Sequence, residues 1–207
     1  MSTRFDPDAI DWAKGGGLVP AVVQHAQDGR VLMLGYMNRE ALAHTLASRR
    51  VSFHSRSRDA LWTKGESSGH WLDLVDVAID CDGDTLLVLA HPQGPTCHRG
   101  CDTCFEPGAE PAFSELGRLD ETIAQRLRER PAGSYTTRLI EQGVLRVAQK
   151  VGEEGVEVAL AGAAQSTGQL VGEAADLLYH LGVLLHARGT TLSAVMATLR
   201  ERRLDAG

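Results

Sequence analysis

All four cysteines of this 207-residue chain lie between positions 81 and 104, and three aspartates interleave with the first: Asp80, Cys81, Asp82, Gly83, Asp84. Carboxylates are hard donors suited to Mg2+, and thiolates are soft donors suited to Zn2+. Side chains on a strand alternate faces, so a strand over residues 76–84 would put the aspartates on one face and Cys81 on the other. That spacing favours two metal sites over one. The other cysteines read Cys97-HRG-Cys101-DT-Cys104. Three thiols so close in a reducing compartment signal a metal: four ligands would make a closed structural knot, three plus water a catalytic site. None of the eight histidines is followed two positions later by glutamate, which sets the zinc deaminases aside. Alone, the aspartates would equally suit a solvated acidic turn.

The second half carries a different device. In KVGEEGVEVALA, Glu153, Glu154 and Glu157 recur at helical neighbour spacing, and GEAADLLYHLGVLL repeats the pattern with Glu173 and Asp176. Like charges at i, i+3 and i+4 destabilise a helix by a few tenths of a kcal/mol per pair, so a purely structural helix gains nothing from them. Two helices each offering an acidic pair can clamp divalent cations inside a bundle. Either pair alone would suit a solvated helix.

The elements that must position these groups follow from pattern. LVPAVVQHAQDGRVLMLGYM is two apolar runs around Asp28-Gly29, a hairpin signal. NREALAHTLASRR predicts a short helix capped by Asn38. WLDLVDVAID alternates as a strand, and TLLVLAH can pair with it. FEPGAEPAF, residues 105–113, reads as a linker between an N-terminal α+β domain (1–112) and a C-terminal all-α domain (113–207). Beyond it LDETIAQRLRER, TTRLIEQGVLRVAQKVGEEGVEVALAGA, GQLVGEAADLLYHLGVLLHARG and LSAVMATLRERR all repeat at i, i+3, i+4. Gly189 suits a helix end and Ser193 sits near the next start. The net charge of −6 argues against nucleic acid or an anionic membrane as partner. No apolar run approaches the ~18 residues of a membrane span, and MSTRFDPDAIDW has no secretory apolar core. The expected location is cytoplasmic.

FHSRSRDALWTKGESSG, DCDGD and GPTCHRGCDTCF occur in an order that closely resembles the phosphoribosyl-AMP cyclohydrolases of histidine biosynthesis. The resemblance implies Zn2+ on Cys81, Cys97 and Cys104, drawn from both chains of a homodimer, and Mg2+ on Asp80, Asp82 and Asp84. Cys101 falls where that family does not require cysteine; it reads as a spare thiol, with a fourth zinc ligand as the alternative. The implied reaction opens the adenine ring of phosphoribosyl-AMP by adding water at C6, and Zn2+ lowers the pKa of a bound water towards ~7. His98 follows a zinc ligand and is the candidate general base. Arg56, Arg58, Lys64, Ser67 and Ser68 are candidate phosphate contacts; without the resemblance they would read as a solvated loop. Trp62 suits either base stacking or packing. His25, His44 and His91 read as structural or surface residues, and Lys14-Gly-Gly-Gly is too weak to count as a phosphate loop.

The helical half, with KVGEE, E-x-x-E and EAADLLYHL, resembles phosphoribosyl-ATP pyrophosphatase, an all-α nucleotide pyrophosphohydrolase. By that resemblance Glu154, Glu157, Glu173 and Asp176 bind Mg2+, Glu153 orients water, and Arg138 and Lys150 meet phosphates. The implied reaction is water attack at the α-phosphorus of phosphoribosyl-ATP, releasing pyrophosphate. The product of one half is then the substrate of the other, so the expected partners are small phosphoribosyl nucleotides. Two rivals differ in class. A binding protein with a structural zinc knot explains the cysteines but not the acidic pairs. A general house-cleaning pyrophosphatase keeps the helical chemistry with another substrate.

Overall fold

A computed structural model describes residues 5–105 and 111–205, so part of the expected linker lies outside the described residues. The chain divides into two compact units, Met1–Ser114 and Glu115–Gly207.

The first unit is built on a four-stranded sheet. The Asp28-Gly29 signal makes the expected hairpin of β1 (Val19–His25) and β2 (Val31–Met37), paired from Val19 against Met37, with Gly29 at φ 76°. Helix α1 (Arg39–Ser48) follows, and the Asn38 carboxamide accepts from the Ala41 N–H at 2.8 Å. Strands β3 (Ser52–Ser55) and β4 (Ala60–Thr63) form a separate small ribbon. Strands β5 (Leu72–Ile79) and β6 (Leu86–Pro92) are antiparallel, and β6 returns to lie parallel to β1, giving the order β2-β1-β6-β5. Val19, Ala21 and Val23 of β1 and Leu86, Val88 and Ala90 of β6 alternate inward and are buried.

Two strand expectations need correction. The alternation of β5 breaks at Val75, where the register against β6 shifts between Leu74 and Asp76 and Val75 turns outward. The strand also stops at Ile79, so residues 80–85 are a turn rather than strand. The Asp80 carboxylate accepts the N–H groups of Asp84 at 3.0 Å and Thr85 at 3.1 Å, and Gly83 takes φ 77°. Side chain-to-backbone bonds of this kind compete with the ladder and favour turns.

Phe53 is the largest fully buried side chain and rests on Gly35 of β2, where a Cβ would stand 2.3 Å from its ring. Phe53→Ala is therefore expected to cost about 3–5 kcal/mol. All three tryptophans lie in this unit, so denaturant unfolding followed by tryptophan fluorescence reads it selectively. A loss below about 1 kcal/mol would show that the site collapses freely and that this contact is not a core anchor.

The second unit is helical: α2 (Ser114–Glu129), α3 (Tyr135–Glu141), α4 (Val144–Ala164), α5 (Thr167–Ala187) and α6 (Leu192–Asp205). The run expected as one helix over residues 136–163 is two, broken where Gly143 adopts φ 91°. The break is glycine chemistry, since a left-handed φ is strained for other residues. Only two residues, Gln165 and Ser166, join α4 to α5, as in an antiparallel helix hairpin. Ser166 and Gln169 cap α5 reciprocally. Gly189 takes φ 74° just past α5, as its place suggests, whereas Thr191 rather than Ser193 accepts from the first turn of α6, from the Ala194 N–H. Ile123, Leu139, Val147 and Val183 make the core, one from each of α2 to α5. Asp120 accepts from His186 at 2.7 Å and from the Leu192 N–H at 3.2 Å, tying α2 to α5 and α6.

Candidate functional site

Three groups of side chains stand out, two in the first unit and one in the second. In the first unit the loop after β6 is pinned under the start of β2. The Cys104 N–H donates to the Leu32 carbonyl at 2.8 Å, and the Thr103 hydroxyl donates to the Val31 carbonyl at 2.7 Å. Within the loop Cys97 N–H donates to the Cys101 carbonyl at 2.9 Å. These bonds place Cys97 and Cys104 in one wall of a cleft of about 480 Å3, with His98 beside them. Lys64, Ser67 and Ser68 line it from the segment after β4.

The electrostatics suit a cation. Burial pushes the Cys104 thiol up, and the neighbouring Cys97 adds to the effect. Burial pushes the Lys64 ammonium down, against the pull of the two cysteines. A thiol kept neutral by burial, beside a second thiol, is a donor that a soft dication would stabilise as thiolate.

The structure places four further residues or pairs relative to this cleft. Cys81 lies in the β5–β6 turn, at the far end of the hairpin from Cys97. Seven residues of β6 at ~3.3 Å each put about 20 Å between that turn and the cleft loop. Arg56 and Arg58 do not line the cleft: the Arg56 guanidinium stacks on Tyr36 at 4.0 Å, and Arg58 donates to Ser55. His70, unremarked in the sequence, does line it; its carbonyl accepts from Lys64 at 3.2 Å, and its ring is wedged against Gly94. Cys101 is partly exposed and sits in the same loop, one residue beyond the lining Gly100.

The Asp80, Asp82 and Asp84 carboxylates come within 4.8 Å of one another, brought together by the turn. Lys14 reaches them, with its ammonium on Asp82 and on Asp84, the latter at 2.9 Å. The segment carrying it is built for this: the Asp11 N–H donates to the Gly83 carbonyl, and Trp12 is buried in the core. Lys14 thus holds the carboxyls of Asp82 and Asp84 below their usual range.

In the helical unit Glu154 and Glu157 of α4 and Glu173 of α5 bring carboxylate oxygens within 4.8 Å of one another. Glu154 is 4% exposed. Lys150, one turn earlier, pairs with Glu154 at 2.6 Å and Glu153 at 3.1 Å, and holds both carboxyls low. Glu154 in turn pushes the Glu157 carboxyl up. A carboxyl pushed up by acidic neighbours is one that a cation would stabilise as carboxylate. Asp176 lies a turn beyond Glu173, outside this trio, and Arg138 of α3 donates to the Gly133 carbonyl just before that helix. His180 was not singled out by sequence: a histidine in an apolar helical stripe gives no signal until its neighbours are known.

Comparison with known proteins covers both units. Residues 33–106 match the family described as phosphoribosyl-AMP cyclohydrolase, and residues 116–203 match phosphoribosyl-ATP pyrophosphohydrolase. The chain is 61% identical over 195 residues to the histidine biosynthesis bifunctional protein HisIE of Xanthomonas campestris pv. campestris, covering 94% of this chain and 93% of that protein. It is 52% identical over 202 residues to the bifunctional protein of the same name in Escherichia coli K12, covering 98% and 99% of the two chains. The Yersinia pestis protein is 51% identical, with 98% of each chain covered.

Proposed function

Because this chain belongs to the histidine biosynthesis bifunctional proteins, we infer that its helical unit hydrolyses phosphoribosyl-ATP to phosphoribosyl-AMP and pyrophosphate, and that its strand-rich unit then opens the adenine ring. The enzyme is a bifunctional hydrolase of small phosphoribosyl nucleotides. No described helix is long and apolar enough to cross a membrane.

The observation that carries the ring-opening site is the convergence of Cys97, Cys104, His98, Lys64, Ser67 and Ser68 on one cleft. Zn2+, when bound, supplies a water acidic enough to act as nucleophile at neutral pH. Cys97 and Cys104 would hold it from one chain. Cys81 is too far along the hairpin to join them, so the third thiolate is assigned to Cys81 of a second copy. A homodimer also accounts for the apolar surface of the helical unit, where Val156, Leu160 and Val171 are each more than half exposed. His98 takes the proton from the attacking water. Lys64, Ser67 and Ser68 bind phosphate; Arg56 and Arg58, off the cleft, are left out of that set. Asp80, Asp82 and Asp84 form a Mg2+ site in which Lys14 is the resident counter-charge.

In the helical unit Glu154, Glu157 and Glu173, with Asp176 at its edge, hold Mg2+. Mg2+, when bound, offsets the charge on the departing pyrophosphate. Glu153 accepts from Gln149 at 2.7 Å and is kept a weak base by Lys150, so its part is to orient water rather than to deprotonate it. Lys150, already committed to two carboxylates, shapes the site more than it grips phosphate, and Arg138 is the remaining candidate for that contact.

Two measurements test the reading. Given phosphoribosyl-ATP, Mg2+ and Zn2+, the protein should release pyrophosphate and then the ring-opened product; ordinary nucleoside triphosphates should be hydrolysed far more slowly. Cys81→Ser and Cys97→Ser proteins, each inactive in ring opening, should regain up to about a quarter of wild-type activity when unfolded and refolded together in equal amounts. Half the dimers are then mixed, and each has one intact shared site. No recovery, with dimers demonstrably mixed, would place all three thiolates in one chain.

A further inference from the structure

His180 is 5% exposed on α5, and nothing above gives it a task. Its Nδ1 lies 2.9 Å from the carbonyl oxygen of Asp176 and 3.5 Å from Oε1 of Glu154, and its Nε2 lies 3.1 Å from the hydroxyl of Tyr135. A carbonyl can only accept, so Nδ1 carries the proton. Nε2, on the opposite edge of the ring, shares a hydrogen bond with the Tyr135 hydroxyl. The ring orientation is thus fixed from both sides, with the Nδ1 proton set by the Asp176 carbonyl. The Nδ1–H edge is turned towards the buried carboxylate of Glu154. Tyr135 is held at the start of α3 beside a second bond to α5, from Thr136 to the Tyr179 hydroxyl at 2.7 Å.

We propose that His180, locked by Tyr135, is a positioning residue for pyrophosphate release: it aims the Glu154 carboxylate at the cation shared with Glu157 and Glu173. Oε1 of Glu154 is gripped by Lys150 at 2.6 Å and has the Nδ1 edge of His180 3.5 Å away, so swinging the carboxylate off its two acidic neighbours would give up both contacts. The same imidazole is bonded to the backbone of α5 at Asp176, so it ties the acidic residue of one helix to the frame of the other. Partners that orient a metal ligand in this way commonly set metal affinity by ten- to a hundredfold. The proposal rests on reading the glutamate trio as a divalent-cation site.

The test uses the full chain and Mn2+ as an EPR-visible probe, with Glu157→Gln marking which bound Mn2+ belongs to the helical site. His180→Gln removes the N–H at the Nδ1 position, and is expected to weaken that Mn2+ population about tenfold and to lower kcat for pyrophosphate release ~10–100-fold, leaving KM for phosphoribosyl-ATP within about twofold. His180→Asn keeps a donor near Nδ1 and should restore most of both. Tyr135→Phe should shift both in the same direction by a smaller factor, with melting temperature and ring opening unchanged. If Mn2+ affinity and kcat stay at wild-type values in His180→Gln, the positioning role is wrong while the metal site stands. If every variant loses activity only in step with thermal stability, His180 is a packing residue and the proposal fails. A wild-type chain with no Mn2+ population sensitive to Glu157→Gln removes the site reading, and the proposal with it.

Discussion

Cys97→Ser protein is expected to convert phosphoribosyl-ATP to phosphoribosyl-AMP and stop there. Cys97 is buried and lies beside Cys104 in the cleft wall, and serine offers neither a thiolate nor a soft donor. Loss of one of three thiolates should empty the zinc site and slow ring opening by about three orders of magnitude, roughly 4 kcal/mol of barrier. Pyrophosphate release belongs to the other unit and should continue at the normal rate. Cys101→Ser is the control. That residue does not line the cleft, so zinc content and both activities should be retained. The readouts are zinc per chain and the two products measured separately. Zinc loss in Cys101→Ser equal to that in Cys97→Ser would make the site a four-cysteine one and overturn the assignment.

The reverse block should come from Glu154→Gln. The substitution keeps size and removes the one charge that is both buried and shared between Lys150 and the glutamate trio. Pyrophosphate release should fall at least ~100-fold, about 2.7 kcal/mol of barrier, and more Mg2+ should be needed for what remains. Phosphoribosyl-AMP supplied from outside should still be opened at the normal rate. Together the two variants separate the steps. If both activities fall in each variant while circular dichroism shows an intact fold, the division of chemistry between units is wrong.

Much of this was legible in the sequence, for identifiable reasons. Asn38, the Asp28-Gly29 turn and the i, i+3 acidic spacing express short-range geometry, and short-range geometry is written locally. The glutamate trio follows from two such spacings once the short Gln165-Ser166 link makes α4 and α5 neighbours. What failed to show had a non-local cause. Lys14 meets the aspartates across 68 positions, and no pattern in Lys-Gly-Gly-Gly announces it. His70 enters the cleft because its ring packs on Gly94, and His180 acquires meaning only from Tyr135, 45 positions away. Alternation along a strand predicts that the aspartates share a face, but a turn is what brings them together, through the bonds Asp80 makes to the backbone of Asp84 and Thr85. The helix break at Gly143 was visible as a glycine, but an interior glycine costs a helix only ~1 kcal/mol and is no stop signal by itself.

The parallel pairing of β1 with β6 has a consequence for how the protein is made on the ribosome. The middle of the sheet joins Ala21–His25 to Leu86–Ala90, so the β1–β2 hairpin emerges with one long edge unpaired. That edge waits for roughly fifty residues of further synthesis, from the end of β2 at Met37 to β6 at Leu86–Pro92, and an open edge is where chains stick to one another. Once β6 is out, more than a hundred residues remain to be translated, including all of the second unit. At ~5–20 residues per second that is roughly 5–20 s, ample time for a sheet of this size to close. Slow synthesis through the helical codons thus gives the strand-rich unit time to finish, whereas pausing between β2 and β6 would prolong the interval in which nascent chains can aggregate.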